Sequence, residues 1–137
     1  MGEEFRHLEK KVNINVMENK KTYLDVINET VKYYSADPKN RRSLGERGGC
    51  LYNGPYGKQC AFGRCAEPID SEHEGETAPG LLIILGKDIL KPEYRHLEDG
   101  IFWNKLQTLH DGDDFWTNTG LSKEGKEFVV ALKVLYS

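Results

Sequence analysis

Two observations predict an α+β fold for this chain of 137 residues. Apolar residues recur at helical spacing in several segments, and two short apolar runs flank a turn rich in glycine and proline. The hydrophobic fraction of 38% and the charged fraction of 30% suit one small domain with a largely polar surface. We therefore expect a single domain, residues 1–137, in which a short β-hairpin or sheet packs with about three helices.

The first 17 residues read as an N-terminal extension of that domain. Within them Val12–Val16 alternates apolar and polar side chains, which predicts one short strand. From Thr22 the spacing becomes helical, and Asp37-Pro38 ends the predicted helix because proline disfavours helical geometry in the residue before it. The apolar face of this helix consists of Leu24, Ile27, Val31 and Tyr34.

A β-hairpin is predicted within the segment Cys50–Pro68. Cys50–Tyr52 and Cys60–Phe62 are short apolar runs, and Asn53–Gly57 between them supplies the glycine and proline that a chain reversal needs. The preceding stretch Arg41–Gly49 has three glycines and no apolar period, so it predicts a loop.

The C-terminal half predicts two helices. Asp70–Thr77 is an acidic turn, and Leu81–Leu85 is an apolar run that fits a buried strand or one buried helical turn. Ile101–His110 has helical spacing, with Asp99 as its N-cap, and a last helix covers about Ser122–Leu135. The apolar stripe of that last helix comprises Leu121, Phe128, Leu132 and Leu135.

Charge and hydropathy exclude several classes of function. A net charge of -3 disfavours sequence-independent binding of nucleic acid. Leu81–Leu85, the longest apolar run, is too short to cross a bilayer, and the charged N-terminus lacks a signal-peptide core. Three cysteines, an odd number, fit free thiols in a reducing compartment, so we expect a cytoplasmic protein.

Basic and aromatic side chains at or near the predicted hairpin suit a phosphorylated planar ligand. Arginine and lysine bind phosphate oxygens, and rings or guanidinium planes stack on a flat ligand. An ordinary hairpin with charged edges explains the same residues equally well. The predicted ligand-binding residues are Arg41, Arg42, Tyr52, Lys58, Arg64, His110 and Asp111.

Other chemistries fit the sequence less well. Cys50, Cys60, Cys65 and His73 could be drawn as a zinc site, but they lack the close ligand pairs of structural zinc, so we predict neither metal nor cofactor. No sequence feature marks one cysteine as an activated nucleophile, so we expect no catalysis.

Two further readings stay open. His110-Asp111 is similar to the adjacent pair of metal-dependent phosphohydrolases, and a hydrolase that uses this pair with Cys or His ligands is the alternative function. The tryptophans Trp103 and Trp116, with Tyr52 and Tyr56, are either exposed anchors for a protein partner or, for the tryptophans, core residues.

Several motifs resemble a set of small, poorly characterised proteins encoded by phages, prophages and plasmids. They are C-x-Y at Cys50–Tyr52, G-x-x-C-A-x-G at Gly57–Gly63, Pro68, L-Q-x-x-H-D at Leu106–Asp111, Trp116 and the opening helix at Tyr23–Asn28. Arg64–Glu67 is more polar than in the resembling proteins. The resemblance implies a mobile-element origin, a bacterial cytoplasm and no established reaction.

The lack of a catalytic constellation favours a non-enzymatic binding protein, and the resemblance implies that it antagonises a bacterial defence system, because such proteins often antagonise a host system. It would sequester a signalling nucleotide or bind a host defence protein. A domain this small closes a ligand cavity more easily by self-association, so a homo-oligomer is expected.

Overall fold

The computed structural model of the protein describes residues 20–42, 52, 59–74 and 76–137. These parts of the chain form six α-helices, several 3₁₀ turns and one two-stranded antiparallel sheet, which confirms the α+β class. The predicted extension and its strand at Val12–Val16 lie outside the described residues.

Helix α1, Tyr23–Ser35, confirms the first predicted helix. Thr22 and Asp25 form a capping box, in which each side chain accepts a hydrogen bond from the other residue's backbone N–H. Helix α2, Pro38–Arg41, follows at once, because the Asp37 side chain caps it and proline fits its first turn.

The predicted second strand of the hairpin at Cys60–Phe62 is wrong. Cys60 is the N-cap of helix α3, Ala61–Cys65. The side-chain oxygen of Gln107 accepts a hydrogen bond from the Phe62 N–H at 2.9 Å, which satisfies a donor that a helix start leaves free. The predicted turn at Asn53–Gly57 lies outside the described residues.

The sheet lies further along the chain. Strands β1, Trp116–Thr117, and β2, Gly120–Leu121, pair with Trp116 opposite Leu121 and Thr117 opposite Gly120. The hairpin thus lies between the last two predicted helices, in a segment for which the sequence predicted no strand.

The apolar run Leu81–Leu85 lies in helix α4, Ala78–Leu85, and not in a strand. The expectation that the run is buried is wrong for most of it. Leu81 is fully buried, whereas the side chain of Ile83 is 85% exposed. The reason is that α4 packs mainly against one neighbour, helix α5, Gly100–Asp111, so its opposite side has no cover among the described residues.

Helix α5 is the centre of the core. It contacts α3, α4 and helix α6, Lys123–Tyr136. Asp99 caps α5 as predicted, accepting a hydrogen bond from the Ile101 N–H at 2.9 Å. The fully buried apolar side chains of this helix are Phe102, Trp103, Leu106 and Leu109.

Both tryptophans belong to the core, so the reading of Trp103 and Trp116 as exposed anchors is wrong. Their exposed fractions are 0% and 8%. Each indole N–H donates at 2.7 Å to a backbone carbonyl, that of Leu97 for Trp103 and that of Leu109 for Trp116.

Helix α6 confirms the last predicted helix, with Ser122 as its N-cap. Leu132 is buried as expected, but Leu135 is 64% exposed and Val129 packs inward instead. A Cβ on Gly125 would lie 2.1 Å from the Phe115 carbonyl oxygen, so the first turn of α6 requires glycine. None of the helices described here is long and apolar enough to span a membrane.

Candidate functional site

Arg41 and Arg64, two of the predicted ligand-binding residues, meet at the ring of Tyr33. Helix α2 ends at Arg41, whose guanidinium carbon lies 4.6 Å from the ring centroid and whose Nη1 donates to the Tyr33 carbonyl at 3.0 Å. The guanidinium carbon of Arg64, in α3, lies 5.8 Å from the same centroid. We name Tyr33, Arg41 and Arg64 the Tyr33 cluster. Guanidinium groups bind aromatic faces through the ring quadrupole, which holds both cations in place.

Glu29 holds the guanidinium group of Arg64 in position. Its carboxylate accepts a hydrogen bond from Arg64 Nη2 at 3.2 Å and one from the Tyr94 hydroxyl at 2.8 Å. Lys21 Nζ lies 2.8 Å from the other carboxylate oxygen. Burial acts to raise the pKa of Glu29, but the hydrogen bonds from Lys21, Tyr94 and Arg64 outweigh it, so the pKa lies below its ordinary value.

The charge of Arg41 is less compensated than that of Arg64. Within the described ranges, Arg41 has no carboxylate at ion-pair distance. Lys91 adds a further cation beside the cluster, because its Nζ donates to the Arg64 carbonyl at 3.0 Å. Positive charge therefore collects at the Tyr33 cluster although the whole chain is acidic.

Arg42 lies elsewhere and holds two parts of the fold together. Its Nε donates to the His110 carbonyl at 2.6 Å, and both terminal nitrogens lie 3.2 Å from Asp113 Oδ1. The guanidinium carbon is 5.8 Å from the ring centroid of Trp116, and the side chain is only 9% exposed. These contacts tie the end of α2 to the end of α5.

His110 and Asp111 form a second polar pair at the C-terminus of α5. His110 Nδ1 lies 2.7 Å from Asp111 Oδ1, and the imidazole is fully buried with Tyr34 packed edge-on at 4.8 Å. Burial and the nearby charge of Arg42 lower the pKa of His110, while the hydrogen bond that its Nδ1–H donates to the Asp111 carboxylate acts to raise it and recovers only part of that effect. The imidazole is therefore neutral at pH 7.

Tyr52 is also buried. Its hydroxyl donates to the Glu76 carbonyl, and its backbone N–H donates to the Glu74 carboxylate. A Cβ on Gly63 would lie 2.7 Å from the Tyr52 carbonyl oxygen, so the chain at Tyr52 crosses α3 at a glycine. These contacts are made inside the molecule, where Tyr52 is 1% exposed.

Both described cysteines are buried, and Cys60 Sγ accepts a hydrogen bond from Gln107 Nε2 at 3.1 Å. Burial raises the pKa of the Cys65 thiol to about 11, which keeps it protonated and unreactive at neutral pH. In the described part of the chain, no group of three or more His, Cys, Asp or Glu side chains could hold a metal ion. Cys50 and Lys58 lie outside the described residues.

The structure therefore divides the predicted site into three places. Arg41 and Arg64 meet at Tyr33, Arg42 binds the backbone carbonyl of His110 next to Asp111, and Tyr52 is buried against α3 at Gly63. Sequence reasoning missed Tyr33, because it lies beside the apolar stripe of α1. The signal that could have identified it is an aromatic residue eight positions before an arginine, with the helix break at Asp37-Pro38 between them.

Comparison with protein-family models, with curated proteins and with solved structures finds no match for this chain.

Proposed function

We propose that this protein is a non-enzymatic binding protein of a phage or related mobile element that acts in the bacterial cytoplasm. It antagonises a defence system by sequestering a phosphorylated, planar small molecule, such as a signalling nucleotide. The observation that carries the proposal is the Tyr33 cluster, where two guanidinium groups are held over one ring and the charge of Arg41 is uncompensated among the described residues.

The cluster offers the two interactions that such a ligand needs. Arg41 uses one terminal nitrogen for the Tyr33 carbonyl, and its remaining N–H groups can donate to phosphate oxygens. The planar guanidinium of Arg41 is itself a stacking surface for a base. Because Glu29 and the Tyr33 ring already hold Arg64, little side-chain entropy is lost when a ligand binds.

The alternative function, a metal-dependent hydrolase, draws less support from the positions of His110 and Asp111. A hydrolytic His-Asp pair must reach its substrate, whereas the imidazole of His110 is fully buried against Tyr34. The hydrogen bond from Arg42 Nε to this region goes to the backbone carbonyl of His110 and involves neither the imidazole nor the Asp111 carboxylate.

The test is a thermal-shift titration of the full chain with a panel of cyclic and linear nucleotides. A ligand at a hundred times its Kd should stabilise the wild type by about 2.7 kcal/mol. Arg41→Gln should remove this stabilisation, and Arg41→Lys should weaken it, because an ammonium cannot form the planar fork.

Arg95→Gln is the matched control. Arg95, like Arg41, is a partly exposed arginine, but it pairs with Glu67 at 4.0 Å and Asp88 at 3.9 Å and lies outside the Tyr33 cluster. Loss of the shift in Arg41→Gln but not in Arg95→Gln supports the proposal. An equal shift in both variants, or no shift with any nucleotide, refutes it.

A further inference from the structure

Helix α4 carries an exposed aliphatic surface. Ile83 is 85% exposed, Ile84 54% and Leu85 37%, so three consecutive large side chains face solvent. Of the eight residues of the helix, only Ala78 and Leu81 are buried. Single exposed aliphatic residues are ordinary, but a contiguous group on one helix is typical of a contact surface.

A groove adjoins this surface. Pro79, Leu82 and Ile83 form one wall, and Glu98 and Gly100 form the other, around a volume of about 320 Å³. A Cβ on Gly100 would lie 3.2 Å from Pro79 Cβ, so the two walls are in close contact at that end. Ile101, which follows Gly100, is 66% exposed and adds a further aliphatic side chain on the α5 side.

One cation and one anion line the groove. Lys87 follows the C-terminus of α4 and Glu98 precedes α5, and both side chains are exposed. Neither makes an ion pair with any residue that the structure describes. A patch with one unpaired charge of each sign can match a second copy of itself, if a two-fold rotation brings the cation of one copy opposite the anion of the other.

We propose that this surface, defined by Ile83, Ile84, Lys87 and Glu98, is the contact between two copies of the chain. In a two-fold dimer the same patch serves both copies, so Ile83 packs on Ile83 or Ile84 of the partner copy. Lys87 then faces Glu98 of the partner copy. This inference goes beyond the proposed function, and neither depends on the other.

The size of the patch sets the strength of the dimer. The largest apolar patch on a typical monomer covers roughly 300–600 Å². A standard interface buries roughly 800 Å² on each partner, so the patch forms the apolar centre and polar neighbours complete the rim. We therefore expect a reversible dimer whose population rises with protein concentration.

Sedimentation equilibrium of the full chain over a wide concentration range tests the contact. Ile83→Glu should raise the dimer dissociation constant at least about tenfold, because dimer formation would bury a carboxylate without a partner. Val134→Glu is the matched control, since Val134 is 72% exposed on α6 and lies outside the patch. Both variants should keep the wild-type circular dichroism spectrum.

Charge reversal tests the pairing itself. Lys87→Glu and Glu98→Lys should each weaken the dimer, because each places like charges opposite one another, and the double variant should restore it. A wild type that stays monomeric at the highest concentration overturns the proposal. So does dimerisation of Ile83→Glu as strong as that of the wild type, a loss of dimer in Val134→Glu alone, or a double variant that fails to recover.

Discussion

The side chains around α2 and those on the outer surface of α4 differ in how many contacts they make within the chain. Around α2, arginines are held by rings, carbonyls and carboxylates of the same chain, and Arg42 is nearly buried. On α4, large aliphatic side chains are left in solvent. The type of a side chain therefore does not tell which surface is used for binding, and only its contacts do.

The largest expected effect is the difference in the free energy of unfolding between a substitution on the buried side of α4 and one on its exposed side. Leu81→Ala should lower the free energy of unfolding by about 2–5 kcal/mol, because it leaves a cavity in the core. Ile83→Ala, two residues away, should change it by no more than about 0.5 kcal/mol at concentrations where the chain is monomeric. Urea denaturation of both variants measures the difference, and a comparable loss in the two would mean that the outer side of α4 is packed.

Arg42 gives the next largest effect. Arg42→Ala should cost about 1.5–3 kcal/mol, because it removes hydrogen bonds of a charged donor to the His110 carbonyl and to Asp113. Arg41→Ala is the control and should cost much less, since among the described residues its one hydrogen bond goes to a carbonyl of the same region. Equal losses in chemical denaturation would contradict the division between a structural Arg42 and an available Arg41.

Individual residues show how much of the fold could be predicted from the sequence. Asp99 caps its helix as predicted, and the helices predicted to begin near Thr22 and Ser122 do so, because helix starts depend on local sequence. The exposure of Ile83 could not be foreseen, since it depends on which distant helix covers α4. The helix at Ala61–Cys65 was missed because its cap acceptor, Gln107, comes from elsewhere in the chain.

The candidate site was foreseen only in part, for the same reason. Residue type identified Arg41 and Arg64 as able to bind an anion. That they share Tyr33 follows from the packing of α2 and α3 on α1, which no local pattern encodes.

A smaller effect concerns pH. Burial holds the pKa of His110 below its ordinary value of 6.5, so the unfolded chain takes up a proton first as the pH falls. The free energy of unfolding should therefore decrease as the pH drops below about 6.5, and His110→Gln should flatten this part of the profile. Melting temperatures between pH 7.5 and pH 5.5 measure it, and an unchanged slope in the variant would show that His110 does not titrate there.

The smallest effect concerns Glu29. Glu29→Gln should cost about 1 kcal/mol or less at pH 7, because its ion pairs with Lys21 and Arg64 are partly exposed. The pKa of Glu29 lies below its ordinary value of 4.5, so its stabilisation is present above pH 4.5 and is lost as the pH falls through the lower, folded-state pKa. Wild type and variant should converge in acid, and a gap that persists there would exclude the carboxylate charge as the cause.

The most direct test of the binding claim uses the small-molecule fraction of phage-infected bacteria. The melting temperature of the wild type should rise in this fraction, and phosphatase treatment of the fraction should abolish the rise. The rise should also be absent in Arg41→Gln and present in Arg95→Gln. A rise that survives in Arg41→Gln, or the absence of any rise in the wild type, would contradict the assignment of the Tyr33 cluster as the ligand site.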